Sequence, residues 1–402
     1  MPPEIREAIL SQTQNLKMAR SAQRYVRGST VSFYRWLAGV APGSLPSGPT
    51  IWICGDCHAG NLGPLANASG AVEIQIRDLD QTVMGNPAHD LVRLGLSLAS
   101  AARGSDLPGV ATALMLEGMM NGYEKAFQPD FSEETDLELP QSIRAAIRES
   151  TAATWKSLAS DRIDDPRPII PLGRRYWLPS DAEKEAIAEL FSQEAIRNLA
   201  TMLKSLDDNS VVELIDAAYW VKGCSSLGLL RYAVLLSVKS KKGKRPTFCL
   251  MDIKEAVKAA APHASDAVMP STHAERVLEG ARHLAPHLGK RMRGGSILGK
   301  SVFVRELLPQ DLKLEIDQLA RDESVSIAEY LAAVVGKAHS RQMNSDSRKT
   351  WLAELKKNRT STLDAPTWLW RSVVDLLGIH ERAYLEHCRR YALENESRVN
   401  EG

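Results

Sequence analysis

The sequence has 402 residues and is short of several things at once. Its five cysteines are odd in number and irregularly spaced, which argues against a disulfide framework and fits a reducing compartment. No apolar run approaches the ~20 residues that a membrane-spanning helix needs. Met1 to Leu10 lacks the basic and then apolar regions of a secretion signal. We therefore expect a cytoplasmic protein with no membrane partner. An excess of one charge is missing too: 50 Lys plus Arg against 49 Asp plus Glu give a formal net charge of +1. That balance provides no global field for holding nucleic acid, and none is expected as a partner. Repeats and low-complexity tracts are also absent. What is present is ordinary globular usage, 44% apolar and 25% charged, on a chain long enough for two packed lobes around a cleft.

Hydrophobic periodicity divides the chain unevenly. Helical patterns run over Ile5 to Tyr25 and Val31 to Leu37, and glycines and prolines then break the chain between Pro42 and Pro49. Thr50 to Cys54 reads as a buried strand. Val72, Ile74 and Ile76 alternate with polar residues as a second, adjacent one. Pro87 opens a helix through Leu98, and helical patterns continue to about Leu206. The texture then changes. Tyr232 to Val238 and Thr247 to Lys254 read as paired strands around a basic turn at Lys239 to Arg245, and a helix follows from His273 to Leu284. A further strand is expected over Ser301 to Leu307. Helical pattern returns from Leu312, with Ala332 to His339 on one such helix. The expected division is 1–211, mostly helical; 212–309, strand-rich; and 310–402, helical again.

The loop between the first two strands, Cys54-Gly55-Asp56-Cys57-His58-Ala59-Gly60-Asn61, admits three readings. Its start matches C-x-x-C-H, the pattern of c-type haem attachment, but haem attachment happens outside the cytoplasm and no export signal is visible. Zinc on Cys54, Cys57 and His58 lacks the second ligand pair that structural zinc sites use. The third reading takes the oxygen donors as the chemistry. Asp56 and Asn61 leave one strand, and the next ends in Arg77-Asp78-Leu79-Asp80, a hard-oxygen set suited to Mg²⁺ with substrate phosphates.

That arrangement resembles the loops of the protein-kinase-like superfamily, in particular the aminoglycoside phosphotransferase and choline kinase branch, with its H-G-D-x-H-x-x-N, I-D-F and D-P-x-x-D-L motifs. Here Cys54 stands in the first His position, followed by Gly55-Asp56, His58, Asn61, Asp78 and Asn86-Pro87-Ala88-His89-Asp90-Leu91. The resemblance implies that Asp56 orients and deprotonates an attacking hydroxyl, that Asn61 and Asp78 hold Mg²⁺, and that Asp90 ties the loop from below. Asp80, where many relatives have glycine, is either a further metal ligand or a plain loop residue.

The nucleotide-binding parts lie downstream instead of upstream. Lys222-Gly223-Cys224-Ser225-Ser226-Leu227-Gly228 resembles a phosphate-covering hairpin, with Gly223, Ser225, Ser226 and Gly228 near the phosphates. Phe248 to Ala256 supplies a strand ending in Lys254, as the V-A-I-K strand does. Glu279 is the expected partner of Lys254, with Glu275 in reserve, and Glu306 lies on the strand expected to reach the adenine. This motif order resembles the bacterial family known as domain of unknown function 2252. The implied fold is α+β, a two-lobed kinase-like architecture in circularly permuted order, using ATP and Mg²⁺. The implied activity is phosphoryl transfer to a hydroxyl-bearing acceptor, a small molecule being favoured. A nucleotide-binding pseudokinase and a protein nucleotidyltransferase stand as alternatives.

Overall fold

The computed structural model describes residues 3–67, 69–132, 137–152, 169–202, 211–223, 226–239, 246–308, 311, 322–357 and 365–391. The fold is mixed α+β, and its strand pairs are antiparallel. It opens with helices α1 (Pro3–Ala19), α2 (Ala22–Gly28) and α3 (Thr30–Ala38). The single helix expected over Ile5 to Tyr25 is therefore two. Ser21 adopts an extended conformation and its side chain accepts from the Arg24 amide, capping a new helix.

Strand β1 (Ile51–Ile53) is buried along its whole length, and β2 (Leu62–Ala66), β3 (Val72–Ile76) and β4 (Val83–Gly85) follow. The expected adjacency of the two acidic-loop strands is corrected here. β1 pairs with β4, whereas β3 forms a hairpin with β2. The sequence reading missed β2 because Leu62-Gly63-Pro64-Leu65-Ala66 carries a Pro and a Gly and has no alternation. Helix α4 (Ala88–Gly104) begins after Pro87, and α5 (Gly109–Lys125) and α6 (Gln141–Ala152) come next.

The large sheet has the order β5-β6-β7-β8-β10-β9, with β5 (Tyr176–Trp177), β6 (Val211–Trp220), β7 (Arg231–Lys239), β8 (Thr247–Glu255), β9 (Met292–Ile297) and β10 (Lys300–Leu307). Helix α7 (Asp181–Ser192) precedes β6, and α8 (His273–Leu284) lies between β8 and β9 in sequence. Side chains alternate across the pleat. One face, with Met251, Ile253 and Val304, packs against Ile187, Leu190 and Phe191 of α7 and Leu10 of α1. The opposite face carries Lys254 and Asp252 beside an apolar cluster that includes Trp220, Ala233, Leu250 and Leu307. Near the edge of the sheet, Trp177 stacks on Tyr219 and Trp220 on Tyr176.

The chain closes with α9 (Ser324–Ser340), α10 (Ser345–Lys356) and α11 (Thr367–Tyr391). Helices α5 and α9 approach so closely that a Cβ on Gly122 would lie 2.0 Å from the Glu329 carbonyl oxygen. Gly122→Ala is therefore expected to destabilise the protein by about 1–3 kcal/mol in chemical denaturation. A second prediction concerns His380 on α11, which is buried with Nδ1 3.0 Å from the Leu376 carbonyl. Burial, assisted by the Arg93 charge, pushes its pKa down to about 4. The folded state thus keeps it neutral while the unfolded imidazole protonates near 6.5. Its contribution is complete above ~6.5 and is lost as pH falls towards 4, by up to ~3 kcal/mol. Melting curves of His380→Gln should be correspondingly flatter over that window than those of the parent.

Candidate functional site

The loop after β1 is held from beneath by one carboxylate. Asp90, in the first turn of α4, accepts from the Cys54 amide through Oδ2 at 2.7 Å and from the Gly55 amide through Oδ1 at 2.9 Å. A chain of donors orders Asp90 in turn. Trp351 Nε1 donates to the Tyr123 hydroxyl at 3.1 Å, Tyr123 donates to His339 Nδ1 at 2.9 Å, and His339 Nε2 lies 3.2 Å from Asp90 Oδ2. Because the indole can only donate and the carboxylate only accept, this places the His339 proton on Nε2. Gly55 turns the chain at φ +75°, where a Cβ would sit 2.1 Å from the Gln81 carbonyl oxygen. Only glycine fits this position. The Tyr34 hydroxyl donates to the Gly55 carbonyl.

This support fixes Asp56, whose residue is only 6% exposed. The Nε of the fully buried Arg93 donates to its Oδ1 at 2.8 Å, and Arg93 Nη2 donates to the Val26 carbonyl at 2.6 Å. Burial pushes the Asp56 carboxyl up and Arg93 opposes it, with the rise prevailing. A carboxylate placed this way is a stronger proton acceptor than an exposed one. His58 Nε2 lies 3.9 Å from Asp56 Oδ2. Asn61 Nδ2 donates to the Asp56 carbonyl at 3.0 Å. Since a carbonyl cannot donate, the amide orientation follows, and Asn61 Oδ1 is the group left to accept or to ligate.

Across from this loop, Lys254 enters from β8. Its Nζ contacts Asp80 Oδ2 and lies 3.3 and 3.4 Å from the two oxygens of Asp78. Two carboxylates thus share one ammonium and titrate as a unit. Desolvation and then the charge of Asp78 push the Asp80 carboxyl up to about 6. Desolvation opposes ionisation at Asp78 as well, but Lys254 outweighs it and holds Asp78 well below the usual carboxylate range. Above that pH the pair carries two negative charges against one positive, an arrangement that favours an added cation. On the same sheet face, Asp252 is clamped by Arg231, through Nε and Nη2 at 2.9 and 2.6 Å, and by Arg305 at 3.1 to 3.2 Å.

Residues 6–390 match the family described as "Uncharacterized protein conserved in bacteria (DUF2252)". The chain belongs to that family. No curated protein and no solved structure matches it.

Within this DUF2252 chain, Asp56, Asn61, Asp78, Asp80 and Lys254 all meet in one region, although Asp78 and Lys254 are 176 positions apart. Other sequence expectations need correcting. Neither glutamate of α8 pairs with Lys254: Glu279 pairs with Arg282, and Glu275 closes a capping box with Thr272. Their helix face is the reason. Ala274, Val277, Leu278, Ala281 and Leu284 turn inward, and Glu275 and Glu279, one turn apart, point outward. Arg276 takes the inward role, donating to the carbonyls of Asp80 and Val257 at 2.8 Å each and to that of Thr82. Glu306 pairs in register with Met251, so its side chain lies on the sheet face opposite Lys254.

Gly223 and Gly228 both adopt φ +101°, with Ser226 buried between them. Ser225 and the basic turn at 240–245 lie outside the described residues. Cys54 and Cys57 are buried free cysteines whose thiols are raised, Cys54 by its hydrogen bond to Cys57 and by burial, Cys57 by burial against the pull of that same bond. Such surroundings favour thiols over metal-binding thiolates. Among the described residues, no group of three or more His, Cys, Asp or Glu side chains is arranged to hold a metal ion, and none of the helices is long and apolar enough to cross a membrane.

Arg93 and Arg276 were missed because arginines on helices carry no periodic signal of their own. Asp252 was legible in principle, two residues before Lys254 on one strand and hence on its face. Asp90→Asn should leave one loop amide unpaired. We expect a loss of about 1–3 kcal/mol and faster hydrogen exchange at the Cys54 and Gly55 amides.

Proposed function

We propose that this protein is an ATP-dependent phosphotransferase that moves the γ-phosphoryl group to the hydroxyl of a small-molecule acceptor, on a kinase-like two-lobed scaffold in permuted order. The observation that carries the reading is the meeting of Lys254, from the sheet, with Asp78 and Asp80 beside the Asp56 loop. The strand order adds support: a glycine-bearing hairpin, a lysine strand, a helix, and then a strand that returns beside the lysine strand.

In this reading the Asp56 carboxylate accepts the proton of the attacking hydroxyl. The new bond forms between that oxygen and the γ-phosphorus, and the bond to the β,γ-bridging oxygen breaks as ADP leaves. Lys254 exchanges its carboxylate partners for nucleotide phosphates. The oxygens of Asn61, Asp78 and Asp80 fit a hard cation that keeps part of its coordination for phosphate oxygens, so these residues would hold Mg²⁺. The metal supplies charge neutralisation on the phosphates.

Purified protein incubated with Mg·ATP and a metabolite pool is expected to transfer label from γ-labelled and not from α-labelled ATP. Asp56→Ala should lower turnover by at least ~10²-fold while ATP still raises the melting temperature. Transfer of α-label would instead establish nucleotidyl transfer, and ATP binding without turnover in any pool would establish a pseudokinase.

A further inference from the structure

The glycine-bearing connection between β6 and β7 begins with a lysine, Lys222, placed directly before Gly223. The Gly223 backbone turns at φ +101°, and its carbonyl accepts from Lys17 Nζ of α1 at 3.2 Å. Lys222 is an exposed residue, yet its side chain turns back onto the Trp220 ring, with Nζ 4.1 Å from the centroid. The ring quadrupole attracts a cation seated in this way. Trp220 holds a second cation as well, the Arg231 guanidinium, at 4.9 Å. Arg231 stands opposite Lys254 in the β7–β8 register, so the two lie on one sheet face, and Trp220 joins them there through its contact with Arg231.

The charges that act on Lys222 are mostly of its own sign. Loss of hydration and then the Arg231 charge push its pKa well down, Arg305 and Arg77 add to the fall, and Asp252 opposes it. Asp252 is fully buried and already clamped by both Arg231 and Arg305. Lys222 itself makes no side-chain hydrogen bond or ion pair among the described residues. The sheet face is therefore polarised. At its hairpin end, Lys222 and the buried Arg231 and Arg305 share one carboxylate, whereas at the other end the carboxylates of Asp78 and Asp80 outnumber Lys254. A ligand that is anionic along its length and carries a cation at one end matches that polarity.

We propose that Lys222 is a second binding residue for the phosphate chain of the donor, which runs from its metal-bearing end at Asp78 and Lys254 towards Lys222 over Trp220. This rests on the phosphotransferase reading and specifies the donor within it, as a triphosphate whose chain, and not its base, meets the hairpin. Lys254 on β8 and Trp220 on β6 are two strand spacings apart, about 10 Å, a span that a chain of several phosphates bridges. An ammonium on a flexible stem suits this task, because it follows a run of tetrahedral oxyanions without a fixed bidentate geometry. Arg231 and Arg305, engaged with Asp252, supply the positive field behind it.

The full-length chain is titrated calorimetrically, in the presence of Mg²⁺, with ATP and separately with inorganic tripolyphosphate, which has the chain without the base. Both are expected to bind the parent. Lys222→Met keeps the length of the stem and removes the charge, and should weaken each probe by about tenfold, as loss of one charge-assisted contact implies. Lys222→Arg, which keeps the charge, should retain most of the affinity. Lys239→Met, at the far end of β7 where the lysine pairs with Glu213, should bind both probes as the parent does. Unchanged ATP affinity in Lys222→Met overturns the role of Lys222 and leaves the phosphotransferase reading standing. A loss for ATP with tripolyphosphate affinity unchanged overturns it too, since Lys222 would then meet the base or the ribose, and so does failure of tripolyphosphate to bind a parent that binds ATP. Failure of the parent to bind Mg·ATP overturns both readings together.

Discussion

The geometry of the Asp56 loop depends on one buried carboxylate. Asp90 receives two successive backbone N–H groups, a task that a neutral side chain of the same size cannot perform with both oxygens. Those two bonds hold the chain where β1 ends, and Gly55 then turns it through a conformation closed to other residues. Asp56 and Asn61 inherit their positions from that turn. Asp90 is itself set by a relay from three separate helices, through Trp351, Tyr123 and His339. A local motif is therefore kept rigid by the packing of distant elements, which is how precise side-chain placement is usually achieved.

Electrostatics joins the sheet to this loop. Lys254 is nearly buried, and its charge is met by Asp78 and Asp80 instead of by a helix glutamate. Arg276 completes the arrangement from α8 by holding the backbone of the acidic loop through its carbonyls. In the proposed phosphotransferase, the same two carboxylates that hold the lysine are those offered to the metal. Binding of nucleotide and metal then amounts to a redistribution of charges already gathered there, which fits a chain with almost no net charge.

Much of the local architecture was legible in the residues. Thr50 to Cys54 as a buried strand, the helix after Pro87, the paired strands over 232–238 and 247–254 and the α8 helix follow from apolar runs, alternation and breakers. The structure gives β1, α4, β7, β8 and α8 at those places. The strand β2 was not legible, since Gly63 and Pro64 obscure it, and the partner of β1 could not be read from neighbouring sequence because β4 pairs with it from beyond the hairpin. Glu279 misled for a rotational reason. Its type and distance along the chain suit a lysine partner, but helix facing is set by which residues are buried, and Val277 and Ala281 claim the inner side.

By itself the sequence determined the inventory of the site and its local spacing: a glycine before Asp56, an amide five residues later, acidic groups at the end of a strand, a lysine at the end of another. These are short-range facts, encoded by strand and turn preferences. Which carboxylates meet Lys254 was decided only by the tertiary structure. The contact joins residues 176 positions apart, and it depends on the register of β8 within the sheet and on the path of the acidic loop held by Arg276. Neither is specified by any single segment, because both follow from how the whole core packs.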